Sequence, residues 1–213
     1  MAPDTFSESR RDPQRTRRRI IAEATAEFAE RGFSRARVDD IAARTATTKR
    51  MIYYYFGSKE RLFTEVLTQA LASSALSLPD EDPSDPVSSI RSLVRRTFER
   101  DEQHPERVRL LSVANIHDGR HLADAPGLHA TAGAIVDWLA TVLRHGQEQG
   151  LFRAHVDPLD LLTVVSAMSD YRVSHRASVQ VVCDRDMLDP ATRERQQEPV
   201  SYTHLTLPTI CSV

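Results

Sequence analysis

Cysteine is scarce in this sequence: 213 residues hold only two, Cys183 and Cys211. Two cysteines cannot build a disulfide framework, and these two lack the CxxC spacing of a zinc site. Long apolar runs are missing as well. No stretch of eighteen apolar residues occurs, and the polar first residues lack the apolar segment of a secretory signal. These absences predict a cytoplasmic protein with free thiols and no membrane span.

Residues 86–182 also lack the patterns of an enzyme. They contain no phosphate loop and no nucleophile with an evident base. His117 and His121 stand four residues apart, as two metal ligands on a helix would, but Gly119 between them disfavours a helix and no third ligand is near. The sequence therefore predicts no catalytic residue, no metal site and no cofactor.

The net charge of −2 conceals an uneven distribution along the chain. Residues 1–61 carry fourteen Lys or Arg and nine Asp or Glu, a net charge of +5, so the remainder carries −7. Such asymmetry is typical of a small basic module that meets an anion, joined to an acidic body that does not. A solvated charged face is the alternative explanation of the same counts.

Apolar residues recur at helical spacing along nearly the whole chain, and no segment alternates with period two. An all-α fold is therefore expected. Gly32 and Gly150 should end helices, and Asp157 followed by Pro158 should begin one. Helices are predicted over residues 13–31, 38–44, 49–55, 58–78, 86–103, 105–116, 127–149, 157–182 and from about 190, with an acidic, proline-rich linker between 78 and 86.

Two of these predicted helices, Val38–Arg44 and Lys49–Tyr55, have the length and spacing of a helix-turn-helix, whose second helix enters the DNA major groove. Many buried helical hairpins share this spacing, so it does not by itself establish DNA binding. The residues expected to point inward are Val38, Ile41, Ala42, Met51, Ile52 and Phe56.

The motif becomes specific at residues 38–43, VDDIAA, and at residues 52–63, IYYYFGSKERLF. With Phe28 and Gly32–Phe33 upstream, the match extends over about fifty residues in register, and the chain resembles the TetR family of bacterial transcriptional regulators. In that family a three-helix DNA-binding domain precedes a larger helical domain that dimerises and binds a small effector. The resemblance thus implies a ligand-responsive regulator, most simply a repressor that binds a palindromic operator in double-stranded DNA as a homodimer.

The family plan also implies where the parts of the chain begin and end. Residues 1–14 would be a disordered arm, and residues 15–61 the DNA-binding domain. Residues 62–198 would form the domain that binds the effector and dimerises. In this domain, Leu159–Tyr171 resembles the helix that pairs with its symmetry mate in family dimers.

The resemblance assigns DNA contacts to individual positions. Tyr53 and Lys59 match residues that bind backbone phosphates, and a tyrosine hydroxyl or a lysine at a helix start can do so. Arg17 and Arg18 either follow the DNA backbone as well or only solvate the first helix. The side chains expected to reach base edges are Thr47, Thr48, Lys49, Arg50 and Tyr54.

Three positions depart from the family pattern. Arg37 stands where Ser or Thr often caps the second helix, so that helix needs another cap. Ala46 replaces a glycine in the turn, at a position that is expected to need a positive φ, at a cost of about 1 kcal/mol. Tyr55 replaces a histidine, so contacts near it are expected to differ.

The effector cavity is expected among the helices of the larger domain, although each candidate residue is more simply explained as plain core. The candidates are Phe98, Asn115, Trp138, Met168 and Tyr171.

The last fifteen residues do not continue the pattern of the helix that begins near Pro190. Residues 200–209, VSYTHLTLPT, match the in-frame translation of a sequencing-library adapter. An ordinary disordered terminus is the alternative. On the adapter interpretation residues 199–213 are not native, and the last helix lacks its C-terminal half.

Two other functions are compatible with a helical chain of this kind. A helical enzyme or carrier could use the N-terminal hairpin as scaffold, but it would leave the +5 segment unexplained. An architectural DNA-binding protein without an effector would bind DNA regardless of sequence.

Overall fold

The computed structural model describes residues 12–73, 81–123, 125 and 127–202. Within these ranges the chain forms eleven α-helices and no β-strand, as the hydrophobic periodicity predicts. The helices are α1 Pro13–Arg35, α2 Val38–Arg44, α3 Lys49–Phe56, α4 Lys59–Ser73, α5 Pro86–Gln103, α6 Pro105–Ile116, α7 Arg120–Ala123, α8 Leu128–Glu148, α9 Pro158–Ser174, α10 Arg176–Cys183 and α11 Pro190–Tyr202.

Several helix starts follow directly from the local sequence. Asp12, Asp85 and Asp157 each accept a backbone N–H of the following turn, and each is followed by proline at the first helical position. Proline is tolerated there because its missing N–H would have had no partner in the helix. These pairs place α1, α5 and α9 where the sequence predicts them.

Two boundaries differ from the expectation. Gly32 takes a positive φ of 72°, but helical structure resumes after it, so the glycine kinks α1 instead of ending it. The single helix predicted over 157–182 is two helices, α9 and α10, that meet at His175. Ser174 Oγ donates to the carbonyl of Asp170 at this break, and such side-chain bonds compete with regular helix.

A first core joins the helix-turn-helix to α4 and α6. Its centre is Phe28 on α1, which contacts Phe63 on α4 edge to face with ring centroids 5.0 Å apart. Leu110 and Ala114 of α6 belong to the same buried cluster, so the N-terminal helices are packed directly on the body of the protein. The other buried residues of this core include Ile20, Ile21, Ala24, Ile41, Ile52, Phe56, Leu62, Val66 and Leu67.

Met51 does not belong to this core, and its predicted inward orientation is wrong. Its side chain is 38% exposed, whereas Ile52 and Phe56 are buried. On a helix of eight residues, positions 52 and 56 lie one turn apart and cover the inner face. Met51 is rotated away from that face by one residue step.

A second core lies between α5, α8 and α9. Gly146 on α8 is required there, because a Cβ at this position would lie 2.0 Å from the ring of Phe152. The buried residues of this core are Ile90, Leu93, Val94, Phe98, Leu139, Val142, Leu143, Phe152, Leu161 and Val165. None of the helices in the described part of the chain is both long and apolar enough to cross a bilayer.

Candidate nucleic-acid interface

The turn between α2 and α3 is closed by a hydrogen-bonded helix stop. The N–H of Ala46 donates to the carbonyl of Ala43, and the N–H of Thr47 donates to the carbonyl of Ala42. This pair of bonds is the Schellman motif, which puts its central residue in the left-handed region. Ala46 has a φ of 49°, so the positive φ expected from the sequence is confirmed.

The start of α3 is fixed by Thr48. Its Oγ1 accepts the N–H of Met51 at 3.2 Å, which satisfies one of the amides that a helix leaves without partners. The buried side chain of Thr45 also holds the turn in place, because its hydroxyl donates to the carbonyl of Ile41 at 2.8 Å. Arg19 of α1 donates to the carbonyl of Thr45 at 3.0 Å. The first turn of α3 is therefore held at a fixed position on α1 and α2.

The side chains predicted to read bases lie on the solvent side of this turn. Thr48, Lys49 and Arg50 are exposed, Thr47 is half-buried, and Tyr54 is 79% exposed. Tyr53 and Tyr54 both face outward, as the resemblance implies, whereas Tyr55 is partly buried against the first core.

Positive charge at the start of α3 is unfavourable for the isolated helix, because the N-terminal end of the helix dipole is itself positive. The first turn nevertheless holds Lys49 and Arg50 and no acid. Lys49 Nζ lies 3.1 Å from Asp39 Oδ2 on α2, while Arg50 forms no ion pair within the described residues. A negatively charged partner would relieve this electrostatic cost.

Lys59 lies at the start of α4 and is half-buried. Its ammonium group sits 4.8 Å from the ring centroid of Phe33, and Nζ is 3.5 Å from the carbonyl of Ser34. Burial lowers the pKa of Lys59. The cation is thus held against α1 by a ring and a carbonyl, and among the described residues no carboxylate contacts it directly.

The two arginines predicted to contact phosphates differ in their surroundings. Arg17 forms an ion pair with Glu65 on α4 at 2.9 Å and lies over the ring of Phe56. Arg18 is exposed, and its guanidinium group lies 3.9 Å from the carboxylate of Asp12. Of the two, Arg18 is the more available to a DNA backbone, while Arg17 ties α1 to α4.

Glu27 is an essential part of the scaffold that the sequence reasoning missed. It is fully buried, and its carboxylate accepts the N–H of Arg37 at 3.1 Å and an N–H of Arg44 at 2.7 Å. Burial raises its pKa, but these two bonds and the charge of Arg31 outweigh it, so the pKa lies below the ordinary value. Glu27 therefore fixes the backbone at Arg37, the residue before α2, although it does not bond the first N–H groups of α2 as a cap at position 37 would. The available signal was an acid at helical spacing from Ile20 and Ala24, on the apolar face of α1.

The structure does not gather the five residues predicted for the effector cavity. Phe98 is fully buried in the second core, and Trp138 packs against that core. Asn115, Met168 and Tyr171 are exposed, and the ring of Tyr171 stacks on His175.

A cavity of about 180 Å³ does lie in this part of the chain, between α4, α5, α6, α8 and α9. Beside it is a second one of about 200 Å³, and Leu71, Leu128 and Thr131 line both. None of the five predicted residues lines either cavity.

The two histidines considered for a metal take part in ring packing. His117 and His121 both contact the ring of Phe33, at centroid distances of 5.3 and 5.1 Å. Among the described residues no group of three metal-ligating side chains occurs. Most of the predicted non-native tail, residues 203–213, lies outside the described residues, as does most of the predicted N-terminal arm, residues 1–11.

Comparison with known families finds matches over most of the chain. Residues 20–66 match the family described as bacterial regulatory proteins, tetR family. Residues 86–202 match the tetracyclin repressor-like, C-terminal domain.

Relatives with assigned roles are similar over most of their length. The transcriptional repressor NicS of Pseudomonas putida is 33% identical over 177 residues, which are 82% of this chain and 84% of NicS. The transcriptional repressor SCO4008 of Streptomyces coelicolor is 35% identical over 167 residues, which are 76% of this chain and 81% of that protein.

Solved structures share the fold. SCO4942 of Streptomyces coelicolor has 31% sequence identity and a TM-score of 0.63, with 87% of this chain and 96% of that one covered. AibR, solved in complex with isovaleryl coenzyme A and operator DNA, has 18% identity and a TM-score of 0.65, with 89% and 97% covered.

Proposed function

The chain belongs to the TetR family of transcriptional regulators, and we propose that it is a repressor that binds a palindromic operator as a homodimer and leaves it when a small effector binds. It is a DNA-binding regulator and not an enzyme. Its expected place of action is the cytoplasm, where the DNA is.

The observation that carries the proposal is the exposed face of α3. A capped helix presents Lys49, Arg50 and Tyr54 to solvent from a rigid scaffold. Arg or Lys can bond the O6 and N7 of guanine, and threonine can contact the thymine methyl group. Tyr53 and Lys59 would contact the phosphates that flank the reading helix, together with Arg18.

An exposed apolar surface on α9 and α10 supports the homodimer. Large apolar side chains there face solvent in the single chain, and a second copy of the same surface would bury them by two-fold symmetry. Two reading heads related by that symmetry would match the two halves of a palindrome. The exposed residues are Leu159, Met168, Tyr171, Val181 and Val182.

The position of the cavities supports release by an effector. Thr68, Leu71 and Ala72 of α4 line the second cavity, and Leu71 also lines the first. The same helix begins at Lys59, next to α3. A ligand that moves the C-terminal part of α4 would therefore shift the phosphate contact at its start, provided that it binds the released state more tightly.

Footprinting on the DNA that flanks the gene tests the function. Protection of a short palindrome is expected. Uniform protection would indicate an architectural protein, and the absence of protection would favour a helical carrier.

Binding measured over a salt series on operator and scrambled DNA tests the individual contacts. Lys59→Ala should weaken binding to both DNAs, and the slope of log K against log salt should become shallower by roughly 1 to 2 units, since the dimer loses one charge per subunit.

The base contacts should respond differently. Arg50→Ala should cost about 1–3 kcal/mol for each lost bidentate base contact, mainly on the operator, and Lys49→Ala should do the same. An unchanged ratio of operator to scrambled binding in both variants would show that α3 is not the reading helix.

A further inference from the structure

The cavity of about 180 Å³ has an apolar wall and a cationic end. Leu71, Leu128, Ile135 and Leu162 supply most of the apolar surface, and Arg100 and Arg107 border the cavity from α5 and α6. Two arginines beside an apolar wall are costly to bury without anions, so the negative charges around them decide what the cavity can hold.

One carboxylate holds both arginines in place. Asp101 is fully buried, and its Oδ1 accepts Arg100 Nε at 2.8 Å and an Nη of Arg107 at 2.9 Å. Its Oδ2 accepts the hydroxyl of Ser169 at 2.7 Å. A guanidinium group has five N–H donors. Among the described residues Asp101 accepts one donor from each arginine, and the other donors have no hydrogen-bond partner.

The second carboxylate near the arginines is a weak counter-ion. Asp170 Oδ1 lies 4.0 Å from Arg107, beyond hydrogen-bond distance. Burial, then the charge of Asp101 and a hydrogen bond with it, raise the pKa of Asp170 to about 6. Burial and the neighbouring Arg100 lower the pKa of Arg107. With a pKa of about 6, Asp170 is mostly ionised at pH 7, so the two aspartates balance the charges of the two arginines there.

We propose that this cavity binds a small monocarboxylate with an apolar body, whose carboxylate is received by Arg100 and Arg107. This inference rests on the proposed function, since it names the chemical class of the effector. A monocarboxylate places one negative charge beside this balanced cluster, whereas a phosphate dianion would place two. Arginine is also suited to the task, because its planar fork matches the two oxygens of a carboxylate.

The volume limits the size of the ligand. An apolar cavity of about 150 Å³ accommodates benzene, so about 180 Å³ accommodates a body of similar size. A longer body could extend past Leu71, Leu128 and Thr131 into the neighbouring cavity of about 200 Å³. Benzoate, phenylacetate and hexanoate are therefore suitable probes, and their uncharged amides are matched controls.

Calorimetric titration of the full chain with each acid and its amide tests the inference. At least one acid should bind about tenfold to hundredfold more tightly than its amide, because hydrogen bonds to a charged group are the stronger ones. Arg107→Gln should abolish this preference. Arg109→Gln, an exposed arginine on the same helix, should leave it unchanged. Equal binding of acids and amides, or no binding by any of the three acids, would overturn the proposal.

A second variant avoids disturbing Asp101. Ala132 lines the cavity on α8 and is exposed, so Ala132→Leu should fill the space without affecting the charged groups. It should weaken binding of the acids at least tenfold while the protein remains folded. Unchanged binding in this variant would place the ligand elsewhere and refute the site.

Footprinting separates failure of this inference from failure of the proposed function. If the ligand-free protein protects a palindrome but only uncharged compounds release it, the carboxylate inference is wrong and the repressor function stands. If no DNA is protected although the acids bind, the proposed function is wrong and the carboxylate site stands.

Discussion

The two halves of the molecule each bury a carboxylate against arginines, with different results. Glu27 in the N-terminal half bonds the N–H of Arg37 and the guanidinium of Arg44. Asp101 in the C-terminal half bonds two arginines that border a cavity. The first carboxylate fixes α1 to α2, whereas the second holds two arginines whose other donors have no hydrogen-bond partner among the described residues. The same chemical unit therefore serves folding in one half and can serve ligand binding in the other.

Removing Glu27 should have the largest effect on stability. Glu27→Ala leaves the N–H of Arg37 and the side chain of Arg44 without their acceptor. We expect a loss of about 2–4 kcal/mol in the free energy of unfolding, because breaking a buried pair leaves its partner uncompensated. Unfolding by denaturant measures this loss of free energy. Glu23→Ala, which removes the exposed partner of the same Arg44, should cost about 1 kcal/mol or less; equal losses would contradict a special role for Glu27.

Neutralising Asp101 should cost less, since asparagine keeps a side-chain oxygen that can accept hydrogen bonds from the two arginines. Asp101→Asn removes a charge and a hydrogen bond that both raise the pKa of Asp170. The pKa of Asp170 should then fall from about 6 toward its ordinary value of 3.8, and the stability loss should be about 1–3 kcal/mol. An NMR titration of the Asp170 carboxyl follows the pKa. An unchanged pKa would mean that the two aspartates are not coupled.

The two halves should also respond to pH with opposite sign. The lowered pKa of Glu27 makes its contribution complete above its ordinary value of 4.5, and this contribution is lost as the pH falls through the folded-state value. Asp170 has a raised pKa, so the folded state binds the extra proton between pH 3.8 and about 6, and stability falls as the pH rises through that window.

Asp170→Asn isolates the second of these pH effects. It should remove the decline between pH 4 and 6 and stabilise the protein at pH 7 by about 1 kcal/mol or less, because 40% of the side chain is exposed. Thermal unfolding of the variant and of the unmodified protein at several pH values measures both effects. A decline that persists in the variant would have another source.

The smallest expected effect on stability comes from residues with a positive backbone φ. Ala46 adopts a positive φ in the N-terminal half, whereas Asp118 and Asp184 do so in the C-terminal half. Aspartate tolerates this region better than alanine. Ala46→Gly should therefore raise stability by about 0.5–1 kcal/mol, the left-handed strain being partly offset by the entropy of glycine. Asp118→Gly should raise the stability less than Ala46→Gly does. A larger gain for Asp118→Gly would show that the positive φ of Ala46 costs little, because the Schellman hydrogen bonds compensate for it.

Local features of the DNA-binding part were predictable from the sequence. The bounds of α2, the positive φ of Ala46 and the outward orientation of Tyr53 and Tyr54 all follow from a short motif with its own turn chemistry. Met51 was misplaced because the inner face of an eight-residue helix is narrow, and Ile52 and Phe56 already cover it.

The effector region was less predictable, for a physical reason. An aromatic residue such as Phe98 fits a predicted pocket, but aromatic residues fill cores as readily as they line cavities. The sequence does not single out Arg100 and Arg107. In the sequence they look like ordinary charged residues of solvated helices, and nothing local shows that α5 and α6 face each other across Asp101.

The sequence alone predicted that this protein is helical, that a short helix over residues 49–55 completes a helix-turn-helix, and which family it resembles, because periodicity, caps and motifs are local and can be read in order. Only the tertiary structure decided which charges are buried and which cavities remain. Whether Glu27 is a scaffold residue or Arg107 a ligand residue depends on which side chains meet from distant helices. These contacts determine how far each charged group is removed from water and which partner it has. Both depend on the folded structure and not on the local sequence.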